Sequence, residues 1–306
     1  MPLSAKPLLM RSVIDLSDPA GAGLRGLLSV MLAASWSRYG SGRLEFHLPG
    51  GAVPAGLAAI WRDFGVEICR HPARHPLAHR APTYNKLLAI DAVPEQERLV
   101  LLDNDVILTG PPGALAGIGA GNVSASVADL ARISPECLET LEAETGARLL
   151  RSPWSPWKEV SLARVAGRPA PRYEALYFNS GVVVFPEDET WPGLWHRRTR
   201  ELSDFLAAHG LKDRAAVGSD QMSLSMAVGD FGAFEHLPPA LHYKVFNFWE
   251  GHLPASGKGI FPRMRFRSST SSRCGAMPRP CPRRIASISG RCCTNTGPIS
   301  CWTRRC

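Results

Sequence analysis

Asp103 and Asp105 flank Asn104 in the stretch RLVLLDNDVIL, residues 98–108, where apolar residues run up to the triplet and resume after it. A bare carboxylate buried in a strand must be paired, protonated or bound to a cation, because its desolvation is otherwise uncompensated. Side chains two apart on a strand point to the same side. Two hard oxygen ligands so placed suit Mn²⁺ or Mg²⁺, which take few protein carboxylates and leave positions for substrate phosphates. The alternative is a turn at the strand end, for which Asp-Asn-Asp is good material.

The elements that must position this pair read as alternating strands and helices. RSVIDLS (11–17) forms a first strand, and Asp18 can N-cap a helix opened by Pro19. RLEFHL (43–48) alternates like a second strand, VPAGLAAIWRDFG (53–65) has helical spacing, and VEIC (66–69) makes a third strand. RHPARHPLAHRAP (70–82) is a Pro-punctuated loop, and TYNKLLAIDAV (83–93) is read as a helix leading into the carboxylate stretch. Further on come a strand at 122–129, a helix at 135–146, an irregular segment at 153–173, and a buried strand at 175–185 interrupted by Asn-Ser-Gly. Two helices, around 191–209 and 218–228, follow. This alternation predicts an α/β fold with a parallel or mixed sheet.

The order TYNKL (83–87), RLVLLDNDVIL, YFNSGVVVF (177–185), SDQMSLSMA (219–227) and LPPALHYKVFNFW (237–249) resembles the family 8 glycosyltransferases. These are retaining bacterial enzymes that move galactose or glucose from a UDP-sugar in lipopolysaccharide synthesis. The likeness covers roughly residues 11 to 250. It implies a single GT-A-like domain over 1–260, a mixed central sheet flanked by helices, with a UDP-sugar donor and a glycan or glycolipid acceptor. On this resemblance Asp103 and Asp105 hold Mn²⁺ or Mg²⁺ against the diphosphate, and Asn104 faces the ribose. Lys86 falls near the donor, although a solvated helix lysine is its plain alternative. Asn179, Ser180 and Gly181 line the sugar pocket, or Gly181 marks a bulge in the strand. Asp220 and Gln221 lie beside the anomeric carbon, with Gln221 placing the donor and offering a dipole, and Ser17 and Asp18 border the uracil pocket. Retention is then expected through front-face attack, with a UDP oxygen taking the acceptor's proton, unlike a two-carboxylate hydrolase.

The sequence also departs from that family. A later His-x-x-Gly-x-x-Lys-Pro-Trp segment, which supplies a third metal ligand and a diphosphate lysine, has no counterpart, since KGIFPRMRFR stands where it should begin. His252 and Lys258 are nearby in the wrong context. Weak or absent turnover is the expectation for this chain, which leaves a non-catalytic sugar-nucleotide binder as an alternative.

Charge divides the chain of 306 residues unevenly. Its formal net charge is +8, yet residues 261–306 contain ten Arg and no Lys, Asp or Glu. The first 260 hold the remaining 25 of 35 basic residues against all 27 acidic ones, so the body makes no electrostatic case for nucleic acid. Only Cys69 and Cys137 lie in the body, while six cysteines crowd the end. Two lone thiols fit a reducing compartment. No secretory pattern opens the sequence, so a cytoplasmic protein is expected, with peripheral membrane contact at most. The basic, Cys-rich end is read as a disordered arm or as out-of-frame sequence; its cysteine spacings match no paired Cys-x-x-Cys site.

Three further patterns are weighed against plainer readings. GAGLRG (21–26) fits the Gly-x-Gly-x-x-Gly of a dinucleotide- or methyl-donor-binding Rossmann enzyme, but SDPA separates it from the strand, and Glu45 lies inside the next strand. His71, His75 and His79 repeat every four residues, yet Pro72 and Pro76 forbid a regular helix there. Trp154, Trp157, Trp191, Trp195 and Trp249 could stack on sugars, with core packing the default.

Overall fold

Alternate residues of the central strands enter two different cores, which explains why those strands read as unbroken apolar runs. The computed structural model describes residues 6–51, 53–127, 135–152, 174–211, 219–237 and 241–242, all within the unit Met1–Pro262. The expected irregular segment at 153–173, Trp154, Trp157, Trp249, His252, Lys258 and the whole of 261–306 lie outside the described residues.

Seven strands form one sheet: β1 (Leu8–Val13), β2 (Arg43–Pro49), β3 (Glu67–His71), β4 (Arg98–Leu102), β5 (Val123–Val127), β8 (Phe178–Val184) and β9 (Phe234–His236). Their spatial order is β3-β2-β1-β4-β8-β5-β9. Strands β1 to β4 run parallel, β8 is antiparallel to both β4 and β5, and β9 pairs parallel with β5. Two short strands, β6 (Arg151–Ser152) and β7 (Glu174–Ala175), make a separate ribbon. The architecture is a mixed α/β sheet flanked by helices, as the resemblance implies.

One core, with Met10, Phe46, Val100 and Val182, packs against Leu32 of α1 (Pro19–Tyr39) and Trp61 of α2 (Ala55–Asp63). The other, with Leu9, Leu101 and Val183, packs against Trp191 and Trp195 of α5 (Thr190–Ala208) and Leu224 of α6 (Ser219–Phe231). Between these lie the short α3 (Gly113–Ala116) and α4 (Pro135–Thr145). Each fully buried Leu, Val or Phe side chain contributes roughly 1.5–3 kcal/mol of transfer free energy. Trp191 and Trp195 are therefore core residues, and neither has a face to offer a sugar.

Three expected elements need correction. The first strand ends at Val13, not Ser17, because Asp15 turns back to accept from Ser17. The helix read over 83–93 is a tighter 3-10 helix and spans only Pro82–Ala89. Strand β4 stops at Leu102, one residue before the carboxylates, and a turn closed by Val106 N–H donating to Asp103 O (3.2 Å) follows. Val106 and Leu108 still pack on the first core, so the apolar pattern continues after the strand has ended. Gly21, Gly23 and Gly26 all lie inside α1, so the strand-to-helix turn of a dinucleotide fingerprint does not exist here. Among the described residues, no helix is long and apolar enough to cross a membrane.

Candidate functional site

The two carboxylates occupy a turn beyond the C-terminal end of β4, not a strand face. Asp103 is half-buried and Asp105 is exposed. Asn104, between them, is half-buried in the same turn. Their approach to one another therefore comes from turn geometry and not from the two-residue repeat of a strand.

What holds Asp103 is Lys86. Its Nζ lies 2.6 Å from Asp103 Oδ1, 2.6 Å from Asp220 Oδ2 and 2.8 Å from Ser180 Oγ. Ser180 Oγ in turn donates to Asp220 Oδ2 at 2.5 Å. Four elements thus meet at one ammonium: the 3-10 helix before β4, the turn after β4, strand β8 and the first turn of α6. Lys86 is neither solvated nor directed outward, since its side chain is 13% exposed.

Electrostatics divide the two carboxylates. Burial pushes Asp103 up, Lys86 beside it pulls it down, and the carboxylates of Asp220 and Asp105 push it up again, leaving it above the ordinary range. Burial also pushes Asp220 up, but Lys86 and the Ser180 hydroxyl outweigh this and hold it below the ordinary range. Lys86 loses to burial and gains more from both carboxylates, so its ammonium is held firmly charged. One cation shared by two carboxylates satisfies the second at the expense of the first.

Gly181 borders the same space. Its carbonyl accepts from Asp103 N–H at 2.8 Å, and the pairing of β5 with β8 shifts register here, so the interruption in the buried strand is a bulge. A Cβ at Gly181 would lie 2.7 Å from Asn179 Oδ1 and 3.4 Å from both Asp103 Oδ2 and His242 Nε2. Asn179 Oδ1 accepts from Gly181 N–H at 2.7 Å. His242 Nδ1 meets Ser126 Oγ at 2.8 Å, which turns the opposite ring nitrogen toward the glycine. A side chain at position 181 would fill the cradle between a carboxylate and an imidazole.

The remaining expected residues fall in two places. Gln221 follows Asp220 on α6 and is half-buried. Asp18 N-caps α1 by accepting from Ala20 N–H and pairs with Arg25 at 3.2 Å, as a capping residue should. Ser17 donates to Asp15 Oδ1 through both N–H and hydroxyl, at 3.0 and 2.6 Å. Asp15 is the better-connected member of that stretch. Its other oxygen accepts from Arg74 and from Asn85, each at 2.8 Å. Sequence reasoning missed Asp15, Asn85 and His242, although Asn85 adjoins Lys86 and His242 lies within a quoted motif. His71, His75 and His79 do not converge: they bond His47, the Leu77 N–H and the Pro76 carbonyl respectively.

A family model described as the Rhodobacterales glycosyltransferase domain matches residues 29–232. The chain belongs to that glycosyltransferase family. No match is found among curated proteins. Among solved structures, the glycosyltransferase GlyE of Streptococcus pneumoniae TIGR4 aligns over 79% of this chain with 16% identity and a TM-score of 0.44. Its apo form aligns over 80% with 14% identity and a TM-score of 0.44. The chain spans about half, 48%, of the length of each of those two structures. An active-site glutamine-to-glutamate mutant of LgtC aligns over 82% of this chain and 80% of its own, with 14% identity and a TM-score of 0.47.

Proposed function

We propose that this glycosyltransferase domain transfers a hexose, with retention of anomeric configuration, from a UDP-sugar to a glycan or lipopolysaccharide-type acceptor, as family 8 enzymes do. Asp103 and Asp105 would hold Mn²⁺ or Mg²⁺, with His242 Nε2 across the Gly181 cradle as a further donor. The donor set fits such an ion. Asp103 and Asp220 share the single ammonium of Lys86, Asp105 adds a third carboxylate that acts on Asp103, and a divalent cation balances the remaining charge. When bound, the ion supplies Lewis-acid stabilisation of the charge that develops on the departing diphosphate.

The chain's own residues have the other roles. Lys86 fixes the Asp103 carboxylate through Oδ1 and leaves Oδ2 turned to the Gly181 side. Asp220, locked by Lys86 and Ser180, orients the first turn of α6 and with it Gln221. Asn179, Ser180 and Gly181 form the wall against which the sugar lies, and Asn104 with the Ser17–Asp18 corner faces the nucleoside. Rate acceleration then comes mainly from positioning and charge stabilisation. Because KGIFPRMRFR stands where the family's later His/Lys segment should begin, turnover by this chain is expected to be weak or absent.

The observation that carries this reading is the convergence of Lys86, Asp103, Ser180 and Asp220 beside a cradle open only because residue 181 has no side chain. Titration of UDP with and without Mn²⁺ tests it. Metal-dependent UDP binding is expected, with slow release of UDP from a UDP-hexose. UDP affinity that ignores Mn²⁺, or preferential binding of NAD, would overturn it.

A further inference from the structure

A second group of metal-type donors lies on the sheet, two and three strands away from β4. Glu45 and His47 lie two apart on β2 and so share a face. His47 is the register partner of Cys69 on β3, and Glu45 that of Arg11 on β1. One ligand atom from each of Glu45, His47 and Cys69 lies within 4.8 Å of the other two. Glu45 Oε2 and His47 Nε2 are 3.3 Å apart. At the roughly 4.8 Å spacing of neighbouring strands, β2 and β3 stand about 10 and 14 Å from β4. This group is therefore separate from the turn that carries Asp103.

We propose that Glu45, His47 and Cys69 form a binding site for a soft divalent ion of the zinc class. A carboxylate oxygen, an imidazole nitrogen and a thiolate are the donor types that zinc accepts, whereas Mg²⁺ and Mn²⁺ favour oxygen. The surroundings are those of an outer shell. His47 Nδ1 meets His71 Nε2 at 2.9 Å, which fixes the ring and leaves Nε2 for the ion. Arg11 Nε donates to Glu45 Oε2 at 2.6 Å and Arg43 donates to Oε1 at 2.6 Å, so the ligating carboxylate is itself held from behind. Charge closes as well. Arg11 and Arg43 face Glu45, Glu67 and Glu97, a net of one negative charge. On binding, the Cys69 S–H bond breaks, its proton leaves to solvent and a sulfur–metal bond forms; the added thiolate and the dication bring the group to neutrality. Because β3 is the edge strand, the ion would tie that edge to its neighbour.

The test uses full-length protein, apo and with Mn²⁺ present, and Co²⁺ or Zn²⁺ as the probe. Co²⁺ is expected to give a thiolate charge-transfer band, displaced by Zn²⁺, of which one equivalent disappears in Cys69→Ser and in His47→Gln. The six C-terminal cysteines are unchanged in both variants and cancel in the comparison. His71→Ala, which removes only the outer partner, should weaken binding about 10–100-fold. Unchanged stoichiometry in either folded variant overturns the proposal. Alkylation of wild-type Cys69, located by peptide mapping, needs no variant: Zn²⁺ should slow it, and equal labelling with and without Zn²⁺ overturns the site.

Discussion

Lys86 Nζ stands 2.6 Å from Asp220 Oδ2, although 134 residues separate the two in the chain. The same nitrogen lies 2.6 Å from Asp103 Oδ1. Asp220 is 5% exposed, so its charge depends on that contact and on the Ser180 hydroxyl. The ammonium therefore serves as the internal counter-ion that lets the start of α6, strand β8 and the turn after β4 come together.

Replacing Lys86 tests that statement. Lys86→Met keeps the length of the side chain and removes its charge, leaving two carboxylates facing each other without a cation. Breaking a buried pair by removing one partner costs about 3–5 kcal/mol. Chemical denaturation should show a loss of that size, partly recovered in the double variant Lys86→Met/Asp220→Asn. A loss below about 1 kcal/mol would mean that solvent, not Lys86, carries the charge of Asp220.

Asp105 makes the opposite case. It is exposed and belongs to a turn, so Asp105→Asn should leave stability within about 0.5 kcal/mol. If it is a metal ligand, Mn²⁺-dependent UDP affinity falls by more than about 10-fold, since loss of an outer-shell partner alone costs ~10–100-fold. Calorimetry with UDP at fixed Mn²⁺ gives the answer. Wild-type affinity in a folded Asp105→Asn protein would remove this residue from the site.

Gly181 separates cavity from fold. A methyl group there meets Asn179 Oδ1 at 2.7 Å and narrows the space shared by Asp103 Oδ2 and His242 Nε2. Asn179 must swing away and lose its bond to Gly181 N–H. Gly181→Ala should therefore cost about 1 kcal/mol, the net worth of one such bond, while metal-dependent UDP binding largely disappears. Intact binding, measured beside an unfolding curve, would show that nothing occupies the cradle.

The strands that could be read from sequence were those whose pattern one core or two dictates. β2 alternates because one face meets Trp61 and Leu32 while the other carries Glu45 and His47. β8 is an unbroken run because Val182 and Val183 enter opposite cores. The end of β4 was not legible, since Val106 and Leu108 stay on the core after the hydrogen-bond ladder stops. Within the candidate site, residue type and spacing singled out Asp103, and the family resemblance pointed to Lys86, Ser180 and Asp220, but their sharing of one ammonium depends on contacts 94 and 134 residues apart, which no local spacing encodes. Asp15 was passed over for Ser17 and Asp18 because a cap signal is local, whereas its partners Arg74 and Asn85 come from 59 and 70 residues away. Glu45 enters the sequence reading only through the dinucleotide pattern, and the register that sets His47 of the same strand opposite Cys69 becomes visible only with the parallel pairing of β2 and β3.

Asp15 yields the prediction about pH. Burial pushes its carboxyl up, but the hydrogen bonds from Ser17 and the Arg74 and Arg25 guanidinium groups outweigh this and hold it below its ordinary value of 3.8. A group whose folded value is depressed stabilises the fold above its unfolded value. That contribution is complete above about pH 4–5 and is lost as pH falls through the folded value. Asp15→Asn abolishes the charge at every pH and leaves Arg74 without its partner, at a cost of about 1.5–3 kcal/mol near neutrality. Unfolding curves from pH 7 to pH 3 should then converge for the wild type and Asp15→Asn as acid removes the advantage that only the wild type possessed. A constant gap between the two across that range would mean that the carboxylate charge of Asp15 does not hold this corner together.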